Sequence, residues 1–170
     1  DSALAHPALG RYSFFAADPF EYLEFSDDGG DSLGRLAESL AGLRTETLPG
    51  LPPFQGGAAG LLSYDLGREL ETLPRPRTDE FQVPAMAVGL YDVVIALDHV
   101  EQRGWVVSQG FPETSPRARR RRAAKRLKQV RAWLSQSAGG LSARKTPRRL
   151  ASEQLAPQYP VGPVEGLTSN

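Results

Sequence analysis

The spacing of hydrophobic positions changes several times along the chain, and each change marks an element. Residues 11 to 17, RYSFFAA, and 20 to 25, FEYLEF, are short aromatic-rich runs on either side of Asp18-Pro19, the pattern of two strands joined at a tight turn. Glu21 and Glu24 do not share a face, which places the second run near a sheet edge. Asp27 to Gly30 reads as another turn. From Asp31 the period becomes helical: Leu33, Leu36, Leu40 and Leu43 recur at three and four residues, with Asp31 or Ser32 as cap. This stripe is expected to be core.

Residues 52 to 74 read PPFQGGAAGLLSYDLGRELETLP. Two prolines fix an extended entry, Gly56, Gly57 and Gly60 punctuate a small apolar strand, and Asp65 is placed to cap a short helical turn that Pro74 stops. Glycines in a strand leave room for another backbone or a ligand. A charged, proline-bounded loop follows over 75 to 83. The run 84 to 97, PAMAVGLYDVVIAL, is read as one buried strand because Val93, Val94 and Ile95 are β-branched. Residues 98 to 103 turn the chain, and 104 to 108, GWVVS, return as the antiparallel partner. Asp92 interrupts the apolar run and needs either water or a hydrogen-bond donor. Ser115-Pro116 opens a second helix over 116 to 136, with Ala123, Leu127, Val130 and Leu134 as its apolar face. Gly139-Gly140 ends it, and residues 139 to 170, with Pro147, Pro157, Pro160 and Pro163, read as a linker after a domain over 1 to 138.

Composition narrows the class. Gly and Pro number 17 and 14 of 170 residues, below a low-complexity content. The absence of cysteine excludes disulfide scaffolds and thiolate metal sites. No apolar run is long enough to span a bilayer and the start has no signal pattern, so a cytoplasmic protein without a membrane partner is the default expectation. Net charge is zero, yet residues 1 to 85 carry 6 basic and 14 acidic side chains and residues 86 to 170 carry 14 and 6. Such halves attract each other. The start at Asp1 and the end at Asn170 lead us to expect a piece of a longer protein.

Few residues offer chemistry. Tyr64, Asp65, Arg68 and Glu69 form a potential acid/base set, against which stands the simpler reading of a helix cap with local ion pairing. The glycines lack the Lys-Ser or Lys-Thr of a phosphate loop. His6 and His99 are the only histidines, no spacing joins them to carboxylates as a metal site, and no serine sits in a nucleophile elbow. Arg117 and Arg119 to Arg122 raise the alternative of a nucleic-acid-binding module. The helix lacks aromatic interleaving and any groove-reading motif, so a solvated face, or one docked on the acidic half, is the stronger expectation.

Several stretches, in order, resemble the N-terminal domain of the chorismate-using synthases, the large subunits (component I) of aminodeoxychorismate (para-aminobenzoate) synthase and anthranilate synthase. These are Asp1-Ser2-Ala3, Gly10-Arg11-Tyr12-Ser13-Phe14, Phe54 to Asp65, Gly89-Leu90-Tyr91-Asp92, Asp98-His99 and Gly166-Leu167-Thr168-Ser169-Asn170. The wording of Gly56 to Gly60 and of Tyr64 to Arg68 is closer to the aminodeoxychorismate branch of folate precursor synthesis. The resemblance implies a full-length enzyme that takes chorismate, uses magnesium, and adds ammonia from a glutamine amidotransferase partner. It assigns the catalytic groups and magnesium ligands to a C-terminal chorismate-binding domain that begins beyond Asn170. No catalytic residue and no cofactor are therefore expected in this chain. It also implies a tryptophan pocket to which Asp1 and Ser2 contribute, the competing expectation being a frayed terminus. The expected fold is α+β, mainly antiparallel sheets packed with two or three helices. The resemblance makes this one half of a layered α/β/β/α architecture, with one edge or face unusually apolar.

Overall fold

The computed structural model describes residues 10–26, 30–75 and 77–140, with side chains to 136. Two three-stranded antiparallel sheets are built from β1 (Tyr12–Phe15), β2 (Glu21–Phe25), β3 (Gly57–Leu62), β4 (Met86–Tyr91), β5 (Val93–Asp98) and β6 (Arg103–Ser108). One has the order β1-β5-β6 and the other β2-β4-β3. The helices are α1 (Ser32–Ala41), α2 (Pro116–Gly140) and a short 3-10 helix, Tyr64–Glu69. The arrangement is α+β. The described residues up to 134 form one compact unit; of 135–170 only the end of α2 is described.

The central strand of each sheet comes from the apolar run 84 to 97, which is two strands and not one. The chain leaves the first as β4 in one sheet and enters the other as β5, with Asp92 between them. An uninterrupted apolar run suits either central position, since both faces of such a strand are covered. Here Met86, Val88, Leu90, Val93, Val94 and Ala96 are all buried. The expected hairpin is present, with Val93 opposite Ser108 and Asp98 opposite Arg103.

The turn at Asp18-Pro19 is a second correction. β1 and β2 do not pair with each other: β1 pairs with β5 and β2 with β4. Asp18, at φ 56°, redirects the chain from one sheet to the other. β2 lies at a sheet edge, as the placement of its glutamates implies.

α1 places its leucine stripe on the second sheet. Leu33, Leu36, Leu40 and Leu43 pack with Phe20, Phe25 and Ala58 around Leu66, Ala85, Met86, Val88 and Leu90. Asp31 caps this helix, its side chain accepting from the Gly34 amide at 2.8 Å. Gly60 stands opposite Val88, and a Cβ there would collide with the carbonyl of Ala87 and come within 2.7 Å of Val88 Cα. What lies against this glycine is thus the β4 backbone. β3 is the other edge of the sheet, and Leu61, Leu62, Tyr64 and Leu70 along and after it are exposed.

α2 opens as its cap predicts, with the Ala118 amide donating to Ser115 Oγ at 3.3 Å. On its apolar face Val130 is buried, Ala123 and Leu127 are half-buried and Leu134 is exposed.

Candidate functional site

Asp92 finds its donors on α2. Its fully buried carboxylate accepts from Arg122 Nε at 3.0 Å and from Arg126 Nε at 3.1 Å. Arg126, itself buried, also donates from Nη1 to Asp18 Oδ2 at 2.5 Å and from Nη2 to the Asp18 carbonyl at 2.7 Å. Arg126 holds the Asp18 carboxyl below its ordinary range. A buried carboxylate beside two guanidinium groups is compensated, whereas an unpaired one would be expelled or neutralised. The basic helix is therefore docked through specific pairs, two to Asp92 within its own half of the chain and one, from Arg126, to Asp18 in the acidic half.

A third arginine extends the docking. Arg119 lies over the Phe111 ring, 4.2 Å from its centroid, and donates from Nε to the Gln109 carbonyl at 3.2 Å. Gly110 between them has φ 72°, and a Cβ there would strike the Arg119 carbonyl. The Gln109 amide in turn donates to the Asp92 carbonyl at 2.8 Å. Arg117, Arg120, Arg121, Lys125 and Lys128 remain exposed.

At the far end of the first sheet, Arg11 donates to Asp98 Oδ2 from Nε at 2.8 Å and from Nη2 at 2.6 Å. The other oxygen of Asp98 accepts from the amides of Val100 and Glu101 at 2.9 and 3.0 Å. The hydrogen bond from Arg11, helped by these amides, holds the Asp98 carboxyl down to about 2. His99 is a turn residue, as expected, and its Nε2 lies 2.6 Å from Ser13 Oγ. Ser13 is buried and Asp98 faces Arg11 rather than the imidazole, so the three do not form a catalytic triad.

The tyrosine-to-glutamate set on the 3-10 helix is structural. Asp65 and Arg68 form an i,i+3 pair at 2.7 Å, and the cap position is Ser63 rather than Asp65. Glu69 reaches the start of α1, where both its oxygens accept from the Ser32 amide at 3.1 Å and one accepts from Ser32 Oγ. A carboxylate at a helix N-terminus satisfies free amides and opposes the helix dipole. Sequence reasoning missed this contact, which joins positions 37 apart.

A cleft of about 520 Å³ opens beside the Asp92 junction, between α1, the glycines that start β3, the end of β4 and the segment 109–111. Asp1, Ser2 and His6 lie outside the described residues, as does the segment 141–170. Among the described residues no group of three or more His, Asp or Glu side chains could hold a metal ion. The best-placed carboxylates, Asp92 and Asp98, are already engaged by arginines, so these residues do not fit magnesium. Among the described residues no helix is long and apolar enough to cross a membrane.

No family model matches the chain. Curated relatives do. Aminodeoxychorismate synthase component 1 of Salmonella typhimurium is 36% identical over 104 residues, covering 48% of this chain and 23% of that protein. Its Escherichia coli counterpart is 42% identical over 72 residues, covering 35% and 16%. Anthranilate synthase component 1 of Mycolicibacterium smegmatis is 40% identical over 78 residues, covering 46% and 15%. The chain spans less than a quarter of each of these proteins. The crystal structure of anthranilate synthase component I from Streptococcus pneumoniae superposes with a TM-score of 0.55 at 22% identity, over 76% of this chain and 32% of that one. Over the matched part, the chain is thus related in sequence to component 1 of the aminodeoxychorismate and anthranilate synthases, and shares the fold of anthranilate synthase component I.

Proposed function

We propose that this chain is the non-catalytic N-terminal domain of an aminodeoxychorismate synthase component I. The full-length protein converts chorismate and glutamine-derived ammonia to 4-amino-4-deoxychorismate, with magnesium and the reacting groups in its C-terminal domain and a glutamine amidotransferase as partner. The observation that carries the reading is the match to aminodeoxychorismate synthase component 1, which is confined to 23% of the Salmonella protein. The side-chain networks support it, because the carboxylates and arginines brought together here are spent on holding elements in place. Residues 139–170 then serve as the linker. The exposed apolar edge at β3, with Leu61, Leu62 and Tyr64, faces the C-terminal domain. Asp1 and Ser2 contribute to a tryptophan pocket, a carboxylate accepting from the ligand's ammonium and a hydroxyl donating to its carboxylate.

The anthranilate branch is the second reading, favoured by the 40% identity to the Mycolicibacterium smegmatis protein. Product analysis of the complete gene product separates the two. Incubation with chorismate, ammonia and magnesium is expected to yield 4-amino-4-deoxychorismate; accumulation of anthranilate instead would overturn the first reading in favour of the second.

A further inference from the structure

We propose that the cleft beside the Asp92 junction is a binding site for a small cyclic monocarboxylate, anchored by Arg44 and oriented by the side-chain amide of Gln109. The volume, about 520 Å³, falls within the range of small-molecule pockets. Phe20, Leu40, Leu43, Leu90 and Phe111 supply apolar walls, a lining that suits a ring. Gly56 and Gly57 leave the floor free of side chains. At Gly56, with φ 138°, a Cβ would crowd Gln109 Oε1 at 2.9 Å.

The polar groups define the ligand's charge and polarity. Among the described residues Arg44 is the only charged one lining the cleft, and its guanidinium has no hydrogen bond or ion pair to any of them. One unspent cation at an apolar cleft matches one anionic group, and a guanidinium favours a carboxylate through two parallel hydrogen bonds. The Gln109 side-chain amide is likewise unpartnered among the described residues, while its main chain is fixed at both ends by Asp92 and Arg119. It offers a positioned donor and acceptor to a second polar substituent. Gln55 is different. Its amide is consumed by the Leu48 amide and carbonyl and the Pro52 carbonyl, at 2.9 to 3.2 Å, and shapes the loop that borders the cleft.

The inference is independent of the family reading, since it rests only on the cleft and its unpaired groups. The test is an amide-detected NMR titration of the 170-residue chain with phenylacetate and its uncharged analogue phenylacetamide. Phenylacetate is expected to shift the amides of Gly56, Gly57 and Gln109 saturably, with a low-millimolar dissociation constant of the kind a fragment of about ten heavy atoms reaches. Phenylacetamide, and phenylacetate with the Arg44→Gln variant, are each expected to bind about tenfold more weakly. Ala41→Trp, at an exposed position lining the cleft, is expected to block binding while leaving the remaining spectrum in place. Equal binding of acid and amide, shifts centred elsewhere, no saturable shift, or an Arg44→Gln variant that binds like the parent would each overturn the proposal.

Discussion

Arg126 binds Asp92 and Asp18 at once, from Nε at 3.1 Å and from Nη1 at 2.5 Å. These two aspartates mark the places where the chain passes between the sheets: from β1 to β2 at Asp18, and from β4 to β5 at Asp92. One side chain of α2 therefore fastens both crossings. Arg122 adds a second hydrogen bond at the Asp92 crossing.

Removing the shared carboxylate leaves the buried guanidinium of Arg126 with only the exposed Asp18 as its ionic partner. Asp92→Ala is expected to cost about 3–5 kcal/mol, the scale for breaking a buried ion pair from one side. Arg122→Ala is expected to cost about 1 kcal/mol or less, because that side chain is 30% exposed. Urea denaturation of both variants checks this, and equally small losses would show that the junction does not hold the sheets.

Asp98 gives a pH dependence of known sign. Its carboxyl is lowered in the folded chain from an ordinary 3.8 to about 2, chiefly by Arg11. The folded state therefore favours the ionised form. This stabilisation is complete above about pH 4 and is lost as pH falls through the folded value near 2. In Arg11→Met the Asp98 carboxyl, followed by carbon NMR, is expected to titrate closer to 3.8. An unchanged midpoint would assign the shift to the turn amides alone.

At Gly60 the β4 backbone leaves no room for a methyl group. Gly60→Ala is expected to destabilise by about 1–3 kcal/mol, the usual range for overpacking, with faster hydrogen exchange across β3. Gly42 is the matched control, since nothing lies within 4 Å of an added Cβ there. Gly42→Ala is expected to be neutral, or stabilising by up to about 1 kcal/mol.

Glu69 links the 3-10 helix to the first turn of α1. Glu69→Ala is expected to cost about 2 kcal/mol, the scale for hydrogen bonds to a charged group, and to loosen the amides at the start of α1 in exchange experiments. In the Ser32→Ala background the loss is expected to shrink, because the Ser32 hydroxyl bond is already gone.

Local patterns announced the elements, while the pairing between them was hidden in distant residues. The leucine stripe of α1, the Asp31 and Ser115 caps and the β5–β6 hairpin were legible because period and capping act over a few residues. The break at Asp92 was not, because the arginines that satisfy it stand 30 and 34 residues away. The same holds for Asp18-Pro19, where turn chemistry indicates a reversal but cannot say which strands will pair. The site was legible in part. The need of Asp92 for a donor could be read from its place in an apolar run, whereas the Glu69–Ser32 contact and the cleft beside Gln109 exist only once separate segments meet.

The measurement that bears most directly on the account is a turnover assay of the 170-residue chain, confirmed as folded by amide dispersion, with chorismate, ammonia and magnesium. On the proposed non-catalytic role, with Asp92, Asp18 and Asp98 engaged by arginines, no aminated product is expected. Formation of 4-amino-4-deoxychorismate or anthranilate by this chain alone would contradict that claim.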